Sequence, residues 1–160
     1  STDPANIKSA TTAAEALSKI AASESLFVSR GDDSGTHKKE QSLWSAAEMD
    51  AETLPSIWYR EAGAGMGAAL NVASGMNAYI LSDRASWLKF GNKGDLGLLF
   101  AGDPVLFNQY AYLPVSQAHH PHVNANAAAK LEIWLTSDAA KELIDGYQLN
   151  GAQLFTFNAD

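Results

Sequence analysis

LFVSRGDDSGTHKKEQSLW, Leu26 to Trp44, is the stretch whose parsing decides the fold. Leu26-Phe27-Val28 has the apolar character of a short buried strand. The chain then crosses a polar turn, Ser29 to Asp33, and re-enters regular structure as a helix at Ser34-Gly35-Thr36. A strand, a turn and a helix start so close together suit a small oxyanion for three reasons. The first N–H groups of a helix have no intrahelical acceptor and carry partial positive charge, and Ser34 and Thr36 add hydroxyl donors. Arg30 supplies a full charge and a planar fork of donors. Gly31 and Gly35 let the backbone approach a ligand without a Cβ in the way. The same residues also read as an ordinary helix cap, with Asp33 or Ser34 at the N-cap and Arg30 paired to Asp32 or Asp33.

A wider set of motifs bears on this choice. SRGDDSGTHKKE with the LW after it, then WYREAGAGMGAAL and AYILSDRASWLKF, resembles the periplasmic tungstate-binding proteins that feed ABC importers. Arg30, Asp32, Ser34, Gly35 and Thr36 also line up with the R-x-D-x-S-G-T element of related phosphate-binding proteins. The resemblance runs from Asp3-Pro4 to Gly151–Phe155 and is most specific between Ser29 and Glu40. It implies an α/β fold of the type II periplasmic binding protein kind, a lobe with a mixed sheet and helices on both faces. It implies Arg30, Ser34, Gly35 and Thr36 as ligand-binding residues, joined by Gly65 and Met66 at a second helix start. The function implied is the substrate-binding component of an ABC importer, capturing a tetrahedral oxyanion, tungstate first and molybdate next. The implied partners are that small inorganic oxyanion and the transporter permease, and the implied location is periplasmic or extracellular. No catalytic residue, cofactor or bound metal is expected. The alternatives are a phosphate-binding protein, or a protein-interaction module derived from a binding-protein lobe.

Composition fits. The 160 residues make one domain of ordinary size, 46% are apolar, and no run is long enough to span a bilayer. A formal net charge of −7 argues against nucleic acid or an anionic membrane surface as partner. Zero cysteines suit an exported protein without disulfides and a cytosolic one equally, so the location rests on the resemblance.

In chain order, Ser1 to Ile7 reads as extended and turn-like. Ala10 to Ala22 reads as an amphipathic helix with Ala13, Leu17 and Ile20 on one stripe. The helix after the turn is expected from Thr36 to about Met49, with Leu43 and Ala47 inward, Lys38, Lys39 and Glu40 on the wet side, and Trp44 as a core contact. Pro55 marks a break before Trp58-Tyr59-Arg60. Glu61 to Gly67, rich in glycine, leads into a small-residue helix over Ala68 to Gly75, read either as a tight turn with close packing or as a second helix start aimed at the same anion. Ala78 to Leu81 is a short apolar run, with Ser82 or Asp83 as a helix cap and Tyr79 read as buried with a backbone partner. Leu96 to Phe100 and Val105 to Phe107 read as strands of a hairpin about Gly102-Asp103-Pro104, and Tyr110 to Val115 as another extended segment. His119-His120-Pro121-His122 lacks a second ligand set at useful spacing, and Ala125 onward reads as helical to the end. Asp33-Ser34-Gly35 with His37 does not make a hydrolase triad, since a histidine on the same first turn is expected to project away from Ser34.

The expected organisation is a single domain over 1–160. Residues 26–108 form the ligand lobe, 110–115 the crossing segment, and 124–160 helices returning toward an opposite lobe. That opposite lobe has no counterpart in this sequence, which resembles the C-terminal portion of the family. Apolar faces on the last helices are therefore expected to pack back, to self-associate, or to stay exposed.

Overall fold

The computed structural model describes residues 2–159; expectations touching Ser1 and Asp160 lie outside the described residues. The chain divides into two compact units, Ser1–Phe107 and Asn108–Asp160.

The first unit is built on three short strands. β1 is Phe27–Ser29, β2 Tyr59–Glu61 and β3 Tyr79–Ile80, hydrogen-bonded in the order β2-β1-β3 with both pairings parallel. Successive residues of a strand face opposite sides of its sheet, and β1 shows it. Phe27 belongs to a cluster with Leu17 and Ile20 of α1 (Ala13–Ala22) and Leu43 and Trp44 of α2 (Gly35–Ala46). Val28 belongs to a second cluster with Met66, Ala69, Leu70 and Ala73 of α3 (Met66–Met76). Helices thus cover both faces. The first cluster is rich in rings: Phe27 meets Trp44 edge-on at 5.3 Å and stacks on Tyr59 at 5.8 Å, and Trp44 lies 5.9 Å from Trp58. Trp44 is fully buried, as its spacing predicts.

The helix limits have local causes. α1 starts at Ala13, three residues later than expected, because Thr12 caps it by accepting the Glu15 N–H, while Glu15 reaches back to the Thr11 N–H and hydroxyl. α1, α2 and α3 all end in the same way. Glu24, Glu48 and Asn77 take left-handed conformations, and the next residue's N–H bonds back to the carbonyl of Ile20, Trp44 or Ala73. These are Schellman motifs, usually closed by glycine. Because Glu48 turns the chain, α2 stops at Ala46 and not near Met49. α3 runs one to two residues beyond its expected range at each end.

Other expectations need correction. Leu96 to Phe100 forms no strand, and Val105 to Phe107 belongs to a 3-10 turn, Pro104–Leu106, so the hairpin is absent. Asp103 caps this turn at the Val105 N–H and also accepts the Ala13 N–H at 2.7 Å, with proline next, which is helix-start chemistry. Leu26 is partly exposed and stands outside β1, although its carbonyl accepts the Tyr79 N–H. Glu40 is 2% exposed, not on the wet side. Tyr79 is buried as expected, its hydroxyl accepting the Ala5 N–H and donating to Asp3. Asp83 caps α4 (Arg84–Lys89) through the Ser86 N–H.

The second unit contains α5 (Ala125–Leu135), α6 (Asp138–Gly146) and an antiparallel hairpin of β4 (Gln148–Leu149) and β5 (Ala152–Gln153). The chain is therefore not helical to its end. Asn150-Gly151, both with positive φ, make the two-residue turn that suits a right-handed hairpin. Residues 110–115 pair into no sheet. Among the described residues of this unit, only Ala140 is a buried hydrophobic, while Tyr110, Leu113, Ile133 and Leu143 are each more than 60% exposed. Among the described residues no helix is long and apolar enough to cross a membrane.

Candidate functional site

α2 connects β1 to β2, and α3 connects β2 to β3 by stepping back past β1. The two crossovers run in opposite directions, so right-handed connections put their helices on opposite faces. The carboxyl ends of β1 and β2 are adjacent, and from them α2 and α3 start on opposite faces of the sheet. In open α/β sheets ligands bind outside the carboxyl ends of the strands.

Arg30 and the turn to Ser34 leave β1 at this point. The loop after β2 is tied alongside, with the Ala62 N–H donating to the Ser29 carbonyl at 2.9 Å and the Ala64 N–H to the Arg30 carbonyl at 3.2 Å. The structure therefore brings Gly65 and the start of α3 next to Arg30 and the start of α2. Gly31 is required here: its φ is +59°, and a Cβ would stand 2.9 Å from Cβ of Glu61. A Cβ on Gly35 or Gly65 would meet nothing within 4 Å.

The turn is wired internally. The Arg30 guanidinium pairs with Asp32 Oδ2, and the Ser34 N–H donates to Asp32 Oδ1 at 3.3 Å. Ser34 is the N-cap of α2, accepting the His37 N–H at 3.3 Å, as one of the two sequence readings has it. The Ser34 hydroxyl, with Arg30, holds the Asp32 carboxyl below the usual range against a desolvation that pushes it up. Asp33 is left-handed, and its carboxylate points outward to Lys38 at 3.4 Å. Neither carboxylate is left facing the two helix starts without a cation or donor of its own.

The expected residues take different parts. Gly35 and Thr36 are the first two residues of α2, so their N–H groups have no intrahelical acceptor. Gly65 is the N-cap of α3 and gives no side-chain cap bond, leaving that helix start bare. The Met66 side chain is buried in the cluster that holds Val28, and its backbone N–H is the first of α3. Arg30 is mostly covered, and its Nε is buried without a partner.

Two residues depart from what the sequence predicts. His37, expected to project from the first turn, is 8% exposed, and its Nδ1 accepts the Asp33 N–H at 3.1 Å. That ring engages a backbone amide, which is not triad geometry. Glu40, one turn on, is buried beneath the turn and accepts from the Tyr59 hydroxyl at 2.7 Å and Trp44 Nε1 at 3.2 Å, both on one oxygen. Burial pushes its carboxyl pKa up, opposed by those donors and by the nearby Ser29 hydroxyl. A Glu at the core-facing helical spacing of Leu43 and Trp44 was the available signal. The histidine cluster belongs to the second unit, with His119 bonded to Ser116 and the rings of His120 and His122 edge-on at 6.1 Å. Among the described residues, no group of three or more His, Asp or Glu is placed to hold a metal ion.

A family model described as the PBP superfamily domain matches residues 1–139. The chain belongs to the PBP superfamily. Proteins similar to this PBP superfamily chain are named for tungstate. The tungstate-binding protein TupA of Peptoclostridium acidaminophilum is 43% identical over 148 residues, covering 90% of this chain and 50% of that protein. Among solved structures, the tungstate-binding protein TupA of Desulfovibrio alaskensis is 42% identical with a TM-score of 0.85, covering 99% of this chain and 64% of that one. The tungstate ABC transporter structure from Geobacter sulfurreducens is also 42% identical, with a TM-score of 0.77 over 91% of this chain and 60% of that one. The chain spans about half the length of the curated relatives it matches.

Proposed function

We propose that this chain is the ligand lobe of the substrate-binding component of an ABC importer, and that it holds a tetrahedral oxyanion, tungstate first and molybdate next. The observation that carries the reading is the meeting of Arg30 with two helix starts, at Gly35 and Met66, on the carboxyl ends of adjacent parallel strands. Similarity to proteins named for tungstate binding supports it. Arg30, the Thr36 hydroxyl, the N–H groups of Gly35, Gly65 and Met66, and the Ser34 hydroxyl turned from Asp32 to the anion form the proposed shell. In this reading residues 26–108 are the ligand lobe, 110–115 cross toward a second lobe, and 124–160 return to it. The partner is a transporter permease, the location is periplasmic, and the task is capture without chemistry. The exposed apolar side chains of residues 108–160 also support self-association.

Selectivity follows from where the carboxylates point. Hydrogen phosphate carries a proton and gains from an acceptor in its shell, whereas tungstate and molybdate need donors only. Asp32 is engaged by Arg30 and Ser34, and Asp33 by Lys38, which favours the fully ionised anions.

Isothermal titration calorimetry with tungstate, molybdate, sulfate and phosphate at pH 7.5 tests this. Stoichiometric heat with tungstate or molybdate is expected, and Arg30→Ala should abolish it, since hydrogen bonds to a charged group contribute roughly 1.5–3 kcal/mol each. Arg30→Lys should recover only part of the affinity, because it keeps the charge without the fork. Tighter binding of phosphate than tungstate, or heat unchanged by Arg30→Ala, would overturn the reading.

A further inference from the structure

His37 is the least explained polar group at the start of α2. Its ring is nine-tenths buried, its Nδ1 takes the Asp33 N–H at 3.1 Å, and its Nε2 is buried with no partner. Accepting that N–H requires an unprotonated Nδ1, so a neutral ring carries its proton on Nε2. The side chain has therefore committed its one acceptor to a backbone amide and leaves its donor unused.

What that amide belongs to gives the bond its consequence. Asp33 is a non-glycine residue with a φ of +55°, flanked by the two residues that engage Arg30 and cap the helix. Left-handed conformations in residues with a Cβ persist only where the surroundings enforce them. At Asp33 the ring of His37 is one such contact, on the amide itself, beside the Ser34 N–H bond to Asp32 that spans the residue. Releasing the amide would let Asp33 relax toward negative φ. That rotation would carry Asp32 off Arg30 and Ser34 off the helix start together.

We propose that His37 is a positioning residue: through Nδ1 it holds the Asp33 amide, and so sets how Asp32 sits on Arg30 and Ser34 on the start of α2. Its effect on affinity rests on the oxyanion reading above, whereas its hold on the turn does not. The ring acts through the backbone and touches no anion.

Asn and Gln variants separate the two nitrogens. Asn places an amide oxygen near the position of Nδ1, and Gln places an NH2 near that of Nε2. In 15N-labelled protein, His37 should show an acceptor-type Nδ1 and a protonated Nε2. Hydrogen exchange at the Asp33 amide should be slow in wild type and in His37→Asn, and faster by tenfold or more in His37→Gln and His37→Ala. Tungstate affinity should follow the same order, Asn within about threefold of wild type and Gln and Ala weaker by roughly 10–100-fold, the scale on which orienting partners act. An Asp33 amide equally protected in His37→Ala, or full rescue by Gln and none by Asn, would overturn the proposal. If wild type binds no oxyanion while the exchange pattern holds, the functional reading fails and the positioning role stands.

Discussion

Glu40 is an acid that α2 carries into a box of aromatic rings. Its hydrogen bonds from Tyr59 and Trp44 fall on one oxygen, and the Ser29 hydroxyl lies near the same carboxyl. Its pKa is raised in the folded protein, chiefly by burial. The folded state then binds more protons than the unfolded one, and stability falls as pH rises from the ordinary carboxylate range to the raised value. Glu40→Gln removes the titration and keeps an acceptor for both donors. Urea midpoints should show the variant gaining on wild type as pH rises above about 4.5, the ordinary value for this carboxyl, and levelling off once the raised value is passed. A difference independent of pH would refute this. Gly31 is constrained in a different way, by backbone and neighbour at once. Gly31→Ala should cost about 1–2 kcal/mol from the left-handed backbone alone, with a further loss from the contact with Glu61, read as a lower denaturation midpoint.

At the scale of elements, the helix ends are sites of stored backbone strain. Glu24 and Glu48 occupy the position that glycine favours in a Schellman motif. Replacing Glu48 with Gly should stabilise the protein by about 0.5–1 kcal/mol, the relief of a left-handed side chain less the added freedom of the unfolded chain. Thermal melts with and without the substitution check the sign. These same residues show why part of the fold was hidden in the sequence. The passage from Val28 through the turn to α2 was legible because strand, N-cap and glycine signals all lie within a dozen residues. The end of α2 was not, because a left-handed glutamate carries no local mark. Asn150-Gly151 was a readable hairpin signal that the apolar periodicity of the helices before it obscured. Leu96 to Phe100 has strand composition, yet Leu99 and Phe100 are used to cover the aromatic cluster, a choice that only tertiary packing makes. At the site, Arg30, Ser34, Gly35 and Thr36 were readable by proximity. His37 was not, since its bond to Asp33 depends on a backbone conformation that the sequence does not announce.

Across the whole molecule, burial is uneven. Among the described residues, every buried hydrophobic side chain apart from Ala140 lies in the first unit. Residues 1–107 produced alone should therefore melt cooperatively and sediment as a monomer. Residues 1–160, with Tyr110, Leu113, Ile133 and Leu143 exposed, should associate as concentration rises. Sedimentation velocity on both would decide, and a monomeric long form at high concentration would remove self-association from the account.

The two ends of α2 serve different purposes, and the helix joins them stiffly. Its first turn carries Ser34, Gly35 and Thr36, while its last carries Trp44, whose indole touches Trp58 and the carboxyl of Glu40. Indole emission responds to nearby rings and to charge at its nitrogen. If the proposed ion tilts the helix as it settles on the start of α2, the emission of Trp44, buried at the far end, is expected to shift with it and to serve as an optical gauge of occupancy.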